Sequence, residues 1–442
     1  MKTPILPFIY SYFNACRSVR RFPSKKVLKS WQEKQVQRHL HWLRGHSPYY
    51  AQRLKRVNIS DWRQLETVSK SEMMENFDRI NTASLKKEKL LNFALANEES
   101  RDFGKEVGRF TVGLSSGTSG NKGLFVVSEK ERSCWAGYIL ARMLPRPLWH
   151  KQRIALFLRS GGPLYQSTGG VRIQFQYFDI FKSLDEHLDA LQEYQPTLIV
   201  GPPSVLKFLA EKISADKLLI KPEKIVSVAE VLDPIDQIRI ENAFGFPIHQ
   251  VYQATEGCIA STCSHGTLHL HEDLMCIEKE VVDLSFNRFV PIITDFSRTT
   301  QPIVRYRLDD ILVEKKTPCP CGSIFTQLES IEGRCDDTLV FESKDKNTCV
   351  AIYPDFFRRC VAFSSNQIFE YRIVQTNFDQ LLIEFSSLSK ERERIKKKIY
   401  KELVQLFTQK NVAIPDISYS LWKPHPVHQK MRRVFRKFDI YE

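Results

Sequence analysis

Between Arg153 and Ala254 apolar runs of two different lengths and periods alternate, and this alternation restricts the possible fold more than any other feature of the chain. Short continuous runs of strand length occur at Ile154 to Leu158, Thr197 to Val200, Lys224 to Val228 and Ile248 to Tyr252. Between them, Leu184 to Tyr194, Pro203 to Ile213 and Pro234 to Phe244 recur with helical spacing. Each connection is long enough for a crossover helix, which parallel strands need. The pattern predicts parallel strands flanked by helices.

From Thr267 to Lys315 the helical period disappears and short strands with turn residues take over, as in Phe289 to Thr294 and Ile303 to Arg307, which predicts a mainly β subdomain. After Glu332-Gly-Arg-Cys-Asp-Asp337 come a strand at Thr338 to Phe341, a helical stretch near Phe356 to Val361, strands at Ile368 to Val374 and Leu381 to Phe385, and a basic helix at Lys390 to Phe407. These elements suit a small α+β domain of about 105 residues. With 442 residues the chain exceeds one small core, and 42% hydrophobic with 26% charged residues is ordinary globular composition, without collagenous, disordered or transmembrane bias. The expected class is α/β, with a large N-terminal domain over residues 1–335 that joins mainly parallel sheets and helices to the β subdomain, followed by the α+β domain over residues 336–442.

Three segments concentrate chemistry. Leu114-Ser-Ser-Gly-Thr-Ser-Gly-Asn-Lys-Gly123 is a loop of small and hydroxyl residues ending in a lysine, so Ser115, Ser116, Gly117, Thr118, Ser119, Gly120 and Lys122 offer backbone N–H, hydroxyl and ammonium donors for phosphate oxygens. Its spacing is not the Walker pattern, so a P-loop fold does not follow. In Val251-Tyr-Gln-Ala-Thr-Glu-Gly257 a strand ends in an aromatic ring, a hydroxyl and a carboxylate, at the kind of strand terminus where open α/β sheets bind ligands. Tyr252 offers a stacking face for a purine, Thr255 a phosphate donor and Glu256 a hard oxygen ligand for Mg²⁺. In Arg305-Tyr-Arg-Leu-Asp-Asp-Ile311, Asp310 can accept from two ribose hydroxyls.

In this order the segments resemble the adenylate-forming enzymes, in particular the phenylacetate-CoA ligase and CapK-like branch, over nearly the whole chain. The resemblance implies that residues 115 to 122 bind pyrophosphate, that Ala229-Glu230 and Tyr252 flank the adenine, that Asp310 holds the ribose, and that Gly333-Arg-Cys-Asp-Asp337 contributes Arg334 to the nucleotide and Asp336 as the hinge of a mobile C-terminal domain. It further implies a catalytic lysine near the C-terminus, for which Gln429-Lys-Met-Arg-Arg-Val434 supplies Lys430, with Gln429 where the family usually has glycine. The implied reaction is ATP- and Mg²⁺-dependent adenylation of an aryl or acyl carboxylic acid, with Glu256, Thr255 and Lys430 as catalytic groups. Transfer to a thiol, coenzyme A or a carrier-protein phosphopantetheine, would follow. The alternatives are nucleotidyl transfer to another acceptor and, in a different class, a basic zinc-containing nucleic-acid-binding protein, against which the ordered motifs weigh.

Ten cysteines are scattered except for Cys319-Pro-Cys321, which suits reduced thiols in a cytoplasmic setting. With Cys263 and His269 upstream, Cys319 and Cys321 make a closed Cys₃His set for a structural Zn²⁺, an arrangement that CapK-like ligases often carry. His265 and His271 compete with His269, and Cys258 with Cys263. The formal net charge of +14 is concentrated in residues 1 to 60, which hold thirteen Lys and Arg against Glu33 alone. That arm reads either as a solvated helical face or as a peripheral membrane contact, with Phe8, Tyr10, Tyr12 and Phe13 beside Arg17, Arg20 and Arg21. The apolar run from Ile5 to Phe13 is expected to be broken by Pro7.

Overall fold

The computed structural model describes residues 4–115, 123–166, 172–345, 348–365, 367–423, 426 and 430–438. At its centre is a twelve-stranded sheet. Five strands run parallel, in the spatial order Ile173–Asp179, Gln152–Leu158, Leu198–Gly201, Lys224–Ser227 and His249–Ala254. In chain order this is 2-1-3-4-5, so the winding direction reverses at Gln152–Leu158 and opens a crevice beyond its C-terminal end. Alternation along each strand accounts for helices on both faces. Ala155, Phe157, Ile199 and Ile225 share a core with Val205, Leu206 and Leu209 of helix Pro203–Ser214 and Ile240 of helix Pro234–Phe244. Their neighbours Ile154, Leu198, Val226 and Val251 pack with Ile139, Leu140 and Met143 of helix Glu129–Met143.

The expected β subdomain is present, but as an extension of the same sheet. Only Thr255 and Glu256 lie between Ala254 and its antiparallel partner Gly257, too short a link for a crossover, so the chain makes a tight hairpin and continues the sheet. The order then runs Gly257–Thr262, Leu268–Leu270, Gln327–Arg334, Asp310–Glu314, Arg288–Asp295 and Met275–Asp283, with Ile303–Arg307 also paired to Arg288–Asp295. Seven antiparallel strands thus adjoin five parallel ones, and Thr255 and Glu256 form the tip of the hairpin between the two halves.

The chain leaves this sheet at Arg334, passes a turn at Cys335–Asp337, and enters a second apolar core at Leu339. There a four-stranded sheet, ordered Asp416–Leu421, Gln380–Ser386, Glu370–Asn377 and Val434–Arg436, packs with helices Pro354–Ser364 and Arg392–Gln409. The basic helix is amphipathic: Ile395, Ile399, Leu403, Leu406 and Phe407 are buried, which leaves its lysines to solvent.

Charged side chains seat the two bodies on each other. Arg433 Nη2 lies 2.5 Å from Asp236 Oδ2 and 3.2 Å from Glu370 Oε2, Lys207 pairs with Glu370, and Tyr371 Oη donates to Asp233 Oδ2 at 2.5 Å. Lys430 follows from this placement, because it lies three residues before Arg433 and is held over the C-terminal edge of the parallel strands.

At the other end of the chain, Pro7 does not break the first helix. Helix Ile5–Arg21 is continuous through it, because Pro7 stands in the first turn, where the missing N–H would have had no intrahelical acceptor. This helix lies close against Glu129–Met143: a Cβ at Gly137 would sit 2.2 Å from the Phe8 carbonyl oxygen, so only glycine permits the contact. Among the described residues no helix is long and apolar enough to cross a membrane.

Candidate active site

The strand ends of the parallel half open into one elongated cavity of about 1200 Å³. Ser115, Ala229, Glu230, Tyr252, Thr255, Glu256, Asp310, Arg334 and Lys430 all line it. Residues that stand up to 315 positions apart are therefore gathered at one site. Of the expected phosphate loop only Ser115 is described; Ser116, Gly117, Thr118, Ser119, Gly120 and Lys122 lie outside the described residues. The base of that loop is an antiparallel hairpin, Phe110–Leu114 with Leu124–Ser128, and Ser115 closes it: its Oγ accepts from the Gly123 N–H at 2.7 Å and its N–H donates to the Gly123 carbonyl at 2.7 Å.

The hairpin tip carries the central carboxylate. Glu256 Oε1 accepts from Tyr306 Oη at 2.8 Å and Oε2 from Thr255 Oγ1 at 2.9 Å, which fixes the carboxylate plane. Behind it the Arg298 guanidinium donates to the carbonyls of Thr255 at 3.1 Å and Val126 at 3.3 Å, tying the tip to the neighbouring hairpin. Tyr252 Oη donates to Asp310 Oδ2 at 2.5 Å, and Arg334 Nη2 donates to Asp309 Oδ2 at 3.0 Å.

Glu230 and Asp310 are half-buried, and for each, burial pushes the carboxyl above its usual range. For Asp310 the Tyr252 hydrogen bond and the charges of Lys430 and Arg334 work in the opposite direction. For Glu230 the opposing groups are Ser204, the Met431 N–H and the charge of Lys430. Lys430 is thus within electrostatic reach of two carboxyls, one in the turn after Lys224–Ser227 and one at the start of Asp310–Glu314. Ala229 reaches this turn only by adopting a left-handed backbone, φ +68°.

Several residues of the site were not singled out by sequence. Lys70, at the first position of helix Lys70–Glu75, lines the cavity; burial and the charge of Arg334 lower its pKa, while Glu256 and Asp309 raise it. Its segment carries no spacing that marks it; in the structure its Cε lies 3.0 Å from where a Cβ at Gly123 would stand. Tyr306 and Asp309 stand in the Arg305 to Ile311 segment, from which only Asp310 was selected; the alternation of that strand was the available signal. Elsewhere the lining is mixed: Trp135, Ile139, Met143, Ile154, Leu156, Phe175 and Val200 form an apolar wall, and Asn97, Arg101, Arg132 and Arg159 also line the cavity. Of the other aromatic residues nearby, Phe178 stacks on Phe157 in the core and Trp149 is 61% exposed.

None of the Cys/His cluster lines this cavity. Cys263, His269, Cys319 and Cys321 present ligand atoms that all lie within 4.8 Å of one another. Cys263 Sγ is 3.6 Å from Cys319 Sγ, and Cys321 Sγ is 3.4 Å from His269 Nε2. Tetrahedral zinc with its ordinary bond lengths has S to S and S to N edges of about 3.8 and 3.5 Å. His269 Nδ1 lies 3.3 Å from the Phe325 carbonyl, a contact that turns Nε2 towards the sulfurs. The competing residues are elsewhere engaged: His271 bridges Ser261 and the Cys258 carbonyl, Cys258 is buried against the cavity, and His265 is exposed on a turn.

No family model matches the chain. Protein CapK of Staphylococcus aureus is 22% identical over 379 residues, spanning 83% of this chain and 80% of that protein. The structure is similar to 2-hydroxyisobutyryl-CoA ligase in the postadenylation state in complex with R3-HIB-AMP, with a TM-score of 0.69 at 17% identity over 93% of this chain and 89% of the other. The chain has the adenylate-forming fold. That fold is also met, with a TM-score of 0.51 at 13% identity over 73% of this chain and 66% of the other, in anthranilate CoA ligase AuaEII in complex with anthranoyl-AMP. The same 2-hydroxyisobutyryl-CoA ligase in the thioesterification state with 2-HIB-AMP and CoA gives 0.55 at 17% identity over 94% and 90%.

Proposed function

We propose that the protein activates a carboxylic acid by adenylation and passes the acyl group to a thiol. The observation that carries this reading is a cavity whose lining gathers Glu256, Asp310, Glu230, Arg334, Lys70 and Lys430 and also includes an apolar wall of Trp135, Ile139, Met143, Ile154, Leu156, Phe175 and Val200. An acid with an aryl or alkyl body suits the apolar part, and a nucleoside triphosphate the polar part.

In the first step a carboxylate oxygen of the acid attacks the α-phosphorus of ATP, a P–O bond forms, the α,β-anhydride bond breaks, and pyrophosphate leaves. Two anions must approach, so charge neutralisation governs the rate. Lys430 and Lys70 bring ammonium groups to that end, and Ser115 with the loop up to Lys122 brings phosphate donors. Tyr252 and the Ala229–Glu230 turn flank the base, and Asp310 accepts from the ribose. The Glu256 carboxylate, oriented by Tyr306 and Thr255, is a hard oxygen donor that fits Mg²⁺. Bound there, the ion would neutralise phosphate charge. In the second step a thiol sulfur attacks the acyl carbon and AMP departs; coenzyme A or a phosphopantetheine arm would serve. We assign the exposed Asp336, in the turn between the bodies at residues 335/336, as the hinge about which residues 336–442 rotate between the two steps.

The Cys₃His cluster fits a structural zinc. With four protein ligands it leaves no position for water, and it would pin Leu268–Leu270 to the loop before Gln327–Arg334.

ATP–pyrophosphate exchange with a panel of carboxylic acids tests the proposal. Acid-dependent exchange in the wild type, lost in Glu256→Gln, is expected; exchange that no acid stimulates in a protein that binds ATP would overturn it.

A further inference from the structure

The outward face of helix Ile5–Arg21 divides into two zones. Its N-terminal half exposes Leu6 (80%), Tyr10 (71%), Ile5 (66%), Phe13 and Ile9. Its last turn, with the start of the next helix, exposes Arg17, Arg20, Arg21, Lys25, Lys26 and Lys29, and the first acidic residue of the chain is Glu33. The opposite face is already occupied: Tyr12, Ala15 and Ser18 are buried, and Arg142 donates to Ser18 Oγ at 2.7 Å. The close contact at Gly137 leaves the helix no room to roll and hide its apolar zone.

We propose that this face docks the protein on an anionic lipid bilayer. Large apolar side chains that continue into an uninterrupted cationic stretch match a membrane interface, where the first sink to the acyl boundary and the second meet lipid phosphates. Charge decides for lipid over an apolar protein partner, since six cations with no intervening carboxylate would repel one another at a dry interface. The other basic helix lacks this character: Arg392–Gln409 interleaves Glu393 and Glu402 with its lysines and pairs Lys396 with Glu393 at 2.6 Å. Ser11, on the inward side of Ile5–Arg21, lines the large cavity. Only the helix, roughly 10 Å across, would then stand between bilayer and chamber.

Docking is independent of the reaction proposed above, and vesicle co-sedimentation of the full chain tests it without any activity. Vesicles of phosphatidylcholine with about one third phosphatidylglycerol should retain the protein, pure phosphatidylcholine should retain it far less, and raised salt should weaken retention. Leu6→Glu with Tyr10→Glu should lower partitioning at least about tenfold, as should Arg17→Glu with Arg20→Glu. The control Leu284→Glu, at an 81% exposed leucine on a different element, should bind as the wild type does. All these positions are exposed, and circular dichroism checks the fold of each variant. Anionic vesicles that fail to retain the wild type, or retention unchanged in both double variants, would overturn the proposal. So would a concentration-dependent dimer lost in Leu6→Glu with Tyr10→Glu and unaccompanied by vesicle binding, which would make a second copy the occupant of the face.

Discussion

Two clusters of ligating side chains lie in the same sheet and are built on opposite terms. The carboxylate end of the cavity is assembled from strand ends far apart in sequence, its groups are held by phenols and guanidinium groups, and burial raises the pKa of Asp310 and Glu230. The Cys/His cluster is compact, closed and absent from the cavity wall. The first keeps charge where the fold would rather not have it; the second satisfies its ligands among themselves. The difference teaches that chemistry and stability are separable here, and that each cluster can be removed with a distinct signature.

The strongest test removes the central carboxylate. Glu256→Gln should lower acid-dependent ATP–pyrophosphate exchange by about 10² to 10³, or 3 to 4 kcal/mol, while the melting temperature and bound zinc stay unchanged. A variant that melts early and still exchanges would erase the division. On the other side, Cys319→Ser, or chelation of the wild type, should cost on the order of 3 kcal/mol and lower the melting temperature by roughly 3 to 4 °C. Exchange per folded molecule should persist, and elemental analysis of untreated wild type should give close to one equivalent of zinc.

Lys430→Ala sharpens the comparison by separating the two bodies. Adenylation should fall by about 10²-fold, yet thiol transfer from supplied acyl-adenylate should change by less than about tenfold, as read in single-turnover assays. Equal losses in both steps would assign Lys430 to binding alone.

The smallest effect has the opposite sign. Because the folded state raises the Asp310 pKa, the folded protein binds a proton more readily than the unfolded chain, and the ionised carboxylate costs stability once the pH exceeds its unfolded value. Asp310→Asn should therefore raise the melting temperature at pH 7 slightly, while weakening nucleotide binding. The gain should shrink as pH falls through the raised Asp310 pKa and vanish below the ordinary carboxylate range, where folded and unfolded states are both protonated. Thermal melts at several pH values check both statements.

Much of this was legible along the chain. Four of the five parallel strands between Gln152 and Ala254 were, because apolar runs covered on both faces read as continuous hydrophobic stretches, whereas Ile173–Asp179, at the end of the sheet order and interrupted by Gln174 and Gln176, was not. Glu256 and Asp310 stood out through their neighbours in short motifs. Short edge strands such as Val434–Arg436 and Asp416–Leu421 did not, since three to six half-exposed residues carry no period. Nor did Lys70, whose local sequence is that of an ordinary capped helix, with Ser69 Oγ accepting from the Glu72 N–H at 3.2 Å.

By itself the sequence determined the class of fold, the order of the three segments that carry the candidate site and the inventory of Cys and His residues, because these depend on residue type and short-range spacing. Tertiary structure decided what meets what. It selected His269 over His271 by turning one ring towards three sulfurs and the other towards Ser261. It merged the β subdomain into the main sheet through a two-residue hairpin. It also brought Lys430 to Glu230 and Asp310 through an interface of buried charges between two bodies. Such contacts join residues up to two hundred positions apart, and their free energy resides in desolvation and packing that no local window of sequence contains.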